Sequence, residues 1–543
     1  MRKLSALAPA GMVLAWIALA PGAHAATPSC ESLAALPLAG AKVTSAETVA
    51  AGAFTPPPNL APWLGGDPAF YKKLPAFCRI LAVGRPSADS DIKIEVWLPA
   101  SGWNGRFRGN GNGGFAGEID YLSLAAAIGQ GYASAGTDTG HSASGIDARW
   151  ALGHPEKVID FGYRAIHEMT LAAKAAAKAF YGREPEHSYF AGCSNGGRQA
   201  LMEAQRFPQD YDGILAGAPA NFWTHLLTSA LWDAQSTTKD AASYIPSSKL
   251  PAIARAVNAA CDAQDGVTDG ILGDPRQCRF DPASMQCPGS DTATCLTPAQ
   301  ATALKKLYEG ARDAAGRRIF PGFLPGAEEG EGGWSTWITG SAPGNGLLFI
   351  FDNGFFSNMV YEKRDWDYKT ADLDAALKAA EVKTARTLDA TDPDLKPFRD
   401  RGGKLLLWHG WNDPAISALN TIDYYESVAR AMGPGSIGSF LRLYLAPGIQ
   451  HCAGGPGPGT FGQGGVLSGS DPRHSLQLAL EEWVDKGTAP VAIVATRYAG
   501  GPPIGDGPHE VKMTRPLCPY PQAPAYKGAG DTNDAASFTC AGR

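Results

Sequence analysis

Residues 188–208 read SYFAGCSNGGRQALMEAQRFP, and no other stretch limits the fold as much. "SYFAG" (188–192) is a short strand of the buried type. "NGGRQALMEAQRFP" (195–208) has a helical pattern stopped by Pro208. Between them Gly192-Cys193-Ser194-Asn195-Gly196 fits G-x-S-x-G, a strand–turn–helix elbow. Its glycines allow a strained turn without Cβ clashes. Such a turn lifts a serine side chain out at the edge of a sheet and points the N–H of Asn195 the same way.

The rest of the chain supplies that sheet. "IKIEVWLP" (92–99) alternates and is β-branched, "GRFRGNGNGGFAG" runs from a strand into a glycine-rich loop, and "GYASAGTDTG" (131–140) is a small-residue strand and turn. Residues 158–181 are Ala-rich with apolar residues at helical spacing. The alternation lapses between about 222 and 398, where Trp334, Trp337, Phe349, Phe351, Phe355 and Phe356 sit among Asp/Gly-rich turns. It resumes with the strands "KLLLWHGWND" (404–413) and "FLRLYLAPG" (440–448) and the amphipathic helix "RHSLQLALEEWVDKG" (473–487). This order predicts an α/β class with a mainly parallel sheet. The core would comprise 26–221 and 399–543, interrupted by an insertion over 222–398 that lies as a lid above the site.

A serine at such an elbow needs a base and an acid, which follow in the order Ser, Asp/Glu, His. Asp413 follows the strand "KLLLWHG" and His451 follows "RLYLAPG", both at strand ends on the rim expected for Ser194. Their 38-residue spacing suits one helix and one strand, whereas the 219 residues from Ser194 to Asp413 far exceed that need. His409 lies inside a strand and reads as a core residue or a supporting one; His141, in "GTDTGHSAS", could line a pocket. His187, His225, His474 and His509 lack a strand-end context. The N–H of Asn195 and one from "GNGNGGFAG" (109–117), at Gly113 or Gly114, would bind an oxyanion, unless that run is a plain turn.

The N-terminus sets the compartment. Arg2 and Lys3, an apolar middle broken by Pro9 and Pro21, and Ala23-His24-Ala25 predict a secretory signal over 1–25, cut after Ala25, rather than a membrane anchor. The mature protein would be soluble and exported, periplasmic or extracellular, with no membrane partner. A net charge of −6 argues against nucleic acid. In an oxidising compartment ten cysteines read as disulfides. Local closeness favours Cys261–Cys278, Cys287–Cys295 and Cys518–Cys540, with Cys30–Cys78 closing the N-terminal part. Cys193 and Cys452 remain, one beside Ser194 and one beside His451, either bridged or as buried thiols.

"CDAQDGVTDGIL" (261–272) gathers Asp262, Asp265 and Asp269, with backbone carbonyls at Val267 and Ile271. Hard oxygen donors in a flexible loop suit Ca²⁺, although the spacing is not that of an EF-hand and a solvated acidic turn is the alternative. No organic cofactor is expected.

G-C-S-x-G-G, the aspartate in "HGWNDPAIS", the H-C pair and the D-x-x-D-G-V-x-D-G-I loop together resemble the tannase/feruloyl esterase family of α/β-hydrolases. That family also contains the enzyme acting on mono(2-hydroxyethyl) terephthalate. The resemblance spans nearly all of the mature chain. It implies a triad of Ser194, Asp413 and His451, a Cys193–Cys452 bridge, structural calcium in the lid, and small aromatic esters such as ferulates and gallates as substrates. A terephthalate monoester carries a carboxylate and calls for a cation, yet Ile319 to Glu362 contains no Lys or Arg, which favours neutral hydroxycinnamic or gallic esters. A terephthalate monoester or other aryl ester remains the alternative substrate. The competing classes are a serine peptidase on the same fold and a secreted, non-catalytic calcium-binding module.

Overall fold

The computed structural model describes residues 1, 28–58, 60, 66–464, 471–501 and 509–542. The expected leader and its cut after Ala25 lie outside the described residues, Met1 excepted. Nine strands form one sheet: β1 (Ala41–Val49), β2 (Phe77–Gly84), β3 (Ile92–Pro99), β4 (Arg106–Asn110), β5 (Ala133–Thr137), β6 (His187–Cys193), β7 (Gly213–Gly217), β8 (Lys404–Gly410) and β9 (Leu441–Ala446). Their order is β1-β2-β3-β5-β4-β6-β7-β8-β9. From β5 through β4 to β9 every neighbouring pair is parallel; β1, β2, β3 and β5 pair antiparallel. The class is therefore α/β with a mainly parallel sheet.

Helices cover both faces, and the strand period sorts the side chains between them. Leu405 and Leu407 face one way with Ile214 and Phe190; Leu406 and Trp408 face the other with Leu215 and Tyr189. The first face packs on α2 (Ala165–Tyr181), α3 (Asn195–Arg206) and α8 (Ala418–Met432); the second packs on α9 (Leu476–Lys486) and the end of α1 (Tyr121–Gly129). A sheet buried on both faces explains why "KLLLW" is a continuous apolar run, each leucine contributing roughly 2 kcal/mol. Helix α2 shows its Ala, Ile and Met residues to the sheet at helical spacing and ends at Gly182, whose φ of 73° is left-handed.

Between β7 and β8 the sheet receives no strand. That segment forms α4 (Trp223–Thr238), α5 (Leu250–Cys261), α6 (Pro298–Glu309) and α7 (Leu347–Phe355) around an apolar core that includes Ile253, Leu304, Trp334 and Leu348. A second cluster joins Trp223, Leu227 and Phe355 of this segment to Phe115 and Phe161 of the sheet region. The register aligns Cys193 with Gly217, Gly217 with Trp408, and Gly410 with Ala446. The loops leaving β6, β8 and β9 therefore emerge along one edge, and they carry Ser194, Asp413 and His451.

Candidate active site

Ser194 stands between β6 and α3 with φ 64° and ψ −124°, a region that costs on the order of 1–3 kcal/mol for a residue other than glycine. Its N–H donates to Gly217 O (3.0 Å), and its carbonyl accepts from Arg198 N (3.0 Å) and Ala220 N (3.1 Å). Glycines are required around it. A Cβ at Gly192 would lie 2.5 Å from Gly196 O, and one at Gly197 would lie 2.2 Å from Gly217 O.

Asp413 is fully buried beyond the end of β8. Its Oδ1 accepts from the amides of Ala415 (2.8 Å) and Ile416 (2.9 Å). Its Oδ2 lies 2.8 Å from His451 Nδ1 and 3.0 Å from His409 Nε2. His409 Nε2 also faces Ile416 O at 2.9 Å, so this nitrogen carries the proton, and Thr421 Oγ1 donates to Nδ1 at 2.7 Å. Burial alone would push the Asp413 carboxyl up. The charge of His451 and hydrogen bonds from His409 and His451 outweigh that and hold it well below the usual range. His409 is thus a supporting residue on the acid, as its place inside a strand suggests.

Cys193 and Cys452 are bonded, with Cα atoms 6.0 Å apart, so the elbow and the His451 loop are covalently tied. The other four pairs are Cys30–Cys78, Cys261–Cys278, Cys287–Cys295 and Cys518–Cys540. Among the described residues Ser194 Oγ and His451 make no hydrogen bond with each other; this contact can tighten when substrate binds. Trp337 stands edge-on to the His451 ring at 4.8 Å, and a chain of rings runs from Trp337 to Phe351 (6.2 Å) and Phe115 (5.2 Å).

The amides expected to face an oxyanion lie close to the elbow. Asn195 opens α3, and its N–H finds no backbone acceptor among the described residues; neither do those of Gly113 and Gly114. The Asn195 side chain is held by Arg198 Nε (2.9 Å). Arg198, missed in the sequence, is fully buried, bonded to the carbonyls of Phe161, Gly162 and Leu388, and pushed down to about 9 by burial. Gly114 has φ 53°, and a Cβ there would meet Gly145 O at 2.2 Å; Gly113 has open space where a Cβ would be. His141 is buried, stacks on Trp150 at 3.7 Å, and its Nε2 lies 2.9 Å from Phe115 O. His187, His225 and His474 pair with carboxylates elsewhere.

The carboxylates of the aspartate loop are largely engaged with its own backbone. Asp265 Oδ1 accepts from Val267 N and its Oδ2 from Gly273 N; Asp269 Oδ1 accepts from Ile271 N. Asp262 is buried, and its Oδ1 has no hydrogen-bond partner. Burial pushes Asp265 and Asp269 up, and the charges of their carboxylate neighbours add to it, whereas Arg515 Nη2 compensates Asp269 at 2.6 Å. Asp265, Val267, Asp269 and Ile271 line one small cavity, and the carbonyls of Val267 and Ile271 accept no backbone hydrogen bond among the described residues. The Val267 and Ile271 carbonyls are oxygen donors of the kind Ca²⁺ takes, while the orphaned Asp262 Oδ1 does not line that cavity and the oxygens of Asp265 and Asp269 already have partners.

The family model for tannase and feruloyl esterase matches residues 78–541. An uncharacterized esterase of Xanthomonas campestris pv. campestris is 41% identical, over 95% of this chain and 91% of that protein. The mono(2-hydroxyethyl) terephthalate hydrolase of Piscinibacter sakaiensis is 34% identical, over 89% of this chain and 88% of that protein. The crystal structure of feruloyl esterase B from Aspergillus oryzae superposes with a TM-score of 0.85 at 30% identity, covering 94% of this chain and 99% of that one.

Proposed function

The chain belongs to the tannase and feruloyl esterase family and is a carboxylic ester hydrolase, and from that premise we propose that it is exported and cleaves esters of aromatic acids through an acyl-enzyme on Ser194. One arrangement carries the reading: Asp413 is bonded to His451, and His451 is tied through Cys452–Cys193 to Ser194. Ser194 Oγ attacks the ester carbonyl carbon while His451 Nε2 takes its proton. Asp413 holds the imidazole by Nδ1 and stabilises the charge that forms. The N–H of Asn195 and that of Gly113 or Gly114 bind the oxyanion. Collapse breaks the C–O bond to the alcohol, which leaves with the proton from His451, and water repeats the sequence to release the acid.

The ring series Trp337–Phe351–Phe115, and the lack of Lys or Arg from Ile319 to Glu362, support uncharged hydroxycinnamic or gallic esters. The likeness to the terephthalate-monoester hydrolase supports a second reading, that such a monoester is taken. Five disulfides support export. Among the described residues no helix is long and apolar enough to cross a membrane. Asp262, Asp265 and Asp269, with the carbonyls of Val267 and Ile271, would hold Ca²⁺ as a structural cross-link that takes no part in the chemistry. Residues 222–398 would form the lid.

The test is a hydrolysis panel of methyl ferulate, methyl gallate and the terephthalate monoester on wild type and Ser194→Ala, with organophosphonate labelling of Ser194. The alanine variant should fold and lose several orders of magnitude in kcat; retention of more than about a tenth of wild-type activity contradicts the assignment.

A further inference from the structure

We propose that Gln199 and Asn112 form a positioning clamp that sets the glycine loop, and with it the second oxyanion donor, against the elbow helix; the proposal rests on the ester-hydrolase reading above. The two donors come from distant parts of the chain. Asn195 opens α3, whereas Gly113 and Gly114 follow β4. Asn112 and Gln199 are 87 residues apart in sequence and exchange hydrogen bonds in both directions. The Asn112 N–H donates to Gln199 Oε1 at 2.9 Å, and Gln199 Nε2 donates to Asn112 Oδ1 at 3.2 Å. Gln199 is 1% exposed and Asn112 5%, so neither bond is exchanged with water.

Asn112 collects the surrounding backbone as well. Its Nδ2 donates to Thr137 O (2.7 Å), at the end of β5, and to Glu118 O (2.9 Å), where the loop leaves the site. One side chain therefore joins β5, the loop and α3. The backbones also touch: a Cβ at Gly111 would lie 2.6 Å from Gly196 Cα and 3.0 Å from Gln199 Oε1. A Cβ at Gly196 would lie 3.2 Å from Asn112 O, the carbonyl of the peptide whose N–H belongs to Gly113. The clamp thus acts on the peptide unit that presents a donor, one turn of α3 from Asn195. An oxyanion donor works only if it is placed before charge develops, so an error in loop position raises the barrier without weakening substrate binding. Gln199 touches no reacting atom; it acts through Asn112.

Two variants test this on the full-length protein. Gln199→Met keeps the volume and removes both bonds, while Gln199→Glu keeps an acceptor for the Asn112 N–H and removes the donor to Oδ1. The readouts are kcat and KM for methyl ferulate per organophosphonate-titrated Ser194, the inhibition constant of an aryl trifluoromethyl ketone that mimics the oxyanion, and the affinity for free ferulic acid. In Gln199→Met, kcat per titrated site should fall on the order of 10- to 100-fold, with KM and ferulate affinity within about twofold. Ketone affinity should fall in parallel, and Gln199→Glu should lose less. A per-site kcat within about twofold of wild type, or an equal loss of ferulate affinity, would overturn the clamp; if the methionine variant does not fold, the glutamate variant decides alone. A wild-type protein that neither takes phosphonate at Ser194 nor turns over the ester would instead overturn the underlying reading, and the clamp with it.

Discussion

Replacing Cys193 and Cys452 together by serine should damage the rate far more than the fold, and both magnitudes can be worked out. The bond closes a loop of 259 residues, for which chain entropy gives about 5.5 kcal/mol at 25 °C. Two smaller bridges lie inside that loop, spanning 17 and 8 residues; they shorten it by about a tenth and change the figure by only about 0.1 kcal/mol. Unfolding entropy near 2.1 cal/mol/K per residue gives about 1 kcal/mol/K for about 500 residues, so even the full entropic loss lowers Tm by only about 5 °C. The rate responds to geometry instead. Ser194 and Cys452 both hold positive-φ backbone, with φ 64° and 61°, at roughly 1–3 kcal/mol each. Once the bond is gone, nothing covalent holds Cys452 in that state, and His451 is its neighbour. A displacement of about 1 Å there costs on the order of 100-fold in kcat. The assay is kcat on an aryl ester beside calorimetry, with non-reducing peptide maps to verify the bond in wild type. A double variant with kcat within about threefold of wild type refutes the geometric argument, and free thiols in the wild-type map refute the bridge itself.

Stripping the folded protein with EDTA should lower Tm by a few degrees and restoring Ca²⁺ should recover it, since binding to the folded form alone adds about 4 kcal/mol at 1,000 times Kd; an unchanged melting curve with no metal on elemental analysis rejects the site. Asp352→Asn should stabilise the protein more as pH rises. Both oxygens of Asp352 are buried without a hydrogen-bond partner, and burial, with the charge of Asp233 adding, pushes its pKa well up. A raised folded pKa means that the native state binds the proton more tightly. Wild-type stability is therefore highest below the unfolded value near 4 and falls by about 1.4 kcal/mol per pH unit above it, until the folded pKa is passed. Denaturant titrations at pH 5 and pH 8 should show the gap widening with pH, and a constant gap refutes the account.

What was legible in the sequence is what local chemistry dictates. The elbow, β6 and α3 could be read because a short apolar strand, the glycines and a helical pattern stopped by Pro208 are written in one stretch, and Asp413 and His451 because each follows an apolar strand. The unread parts depend on distant partners. Gln199 looks like any polar residue of a helix until Asn112 is packed against it. The expected helix over 158–181 begins at Pro155 and passes through a π-helical turn at Asp160–Arg164. There a Cβ at Gly162 would lie 2.6 Å from Thr387 Cγ2, a contact no local pattern announces. The edge strand β1, "AKVTSAETV", buries little and alternates weakly, so nothing in its composition marked it.

The sequence places the aspartate loop in the inserted segment, and the fold gives it a second neighbour. Pro447 lines the same cavity as Asp265 and Asp269, and a Cβ at Gly448 would lie 3.1 Å from Ile271 Cγ2. These residues begin the loop that carries His451. Gly448 N donates to Asn412 Oδ1 (3.2 Å), and Asn412 N donates to Ile449 O (3.0 Å), so the start of this loop is paired with the residue beside Asp413. The Asn412 side chain in turn bonds Gly326 O of the inserted segment. Repulsion among Asp262, Asp265 and Asp269, which Arg515 offsets only at Asp269, would therefore press on backbone three residues from the base and one step from the acid. A bound Ca²⁺ would neutralise that charge and so hold His451 in place without entering the reaction. The consequence is an ordering of effects: as metal is withdrawn at a temperature well below Tm, kcat should fall while the protein is still folded, and KM should change little. A kcat that stays constant until the melting transition would make the loop a staple for the inserted segment alone.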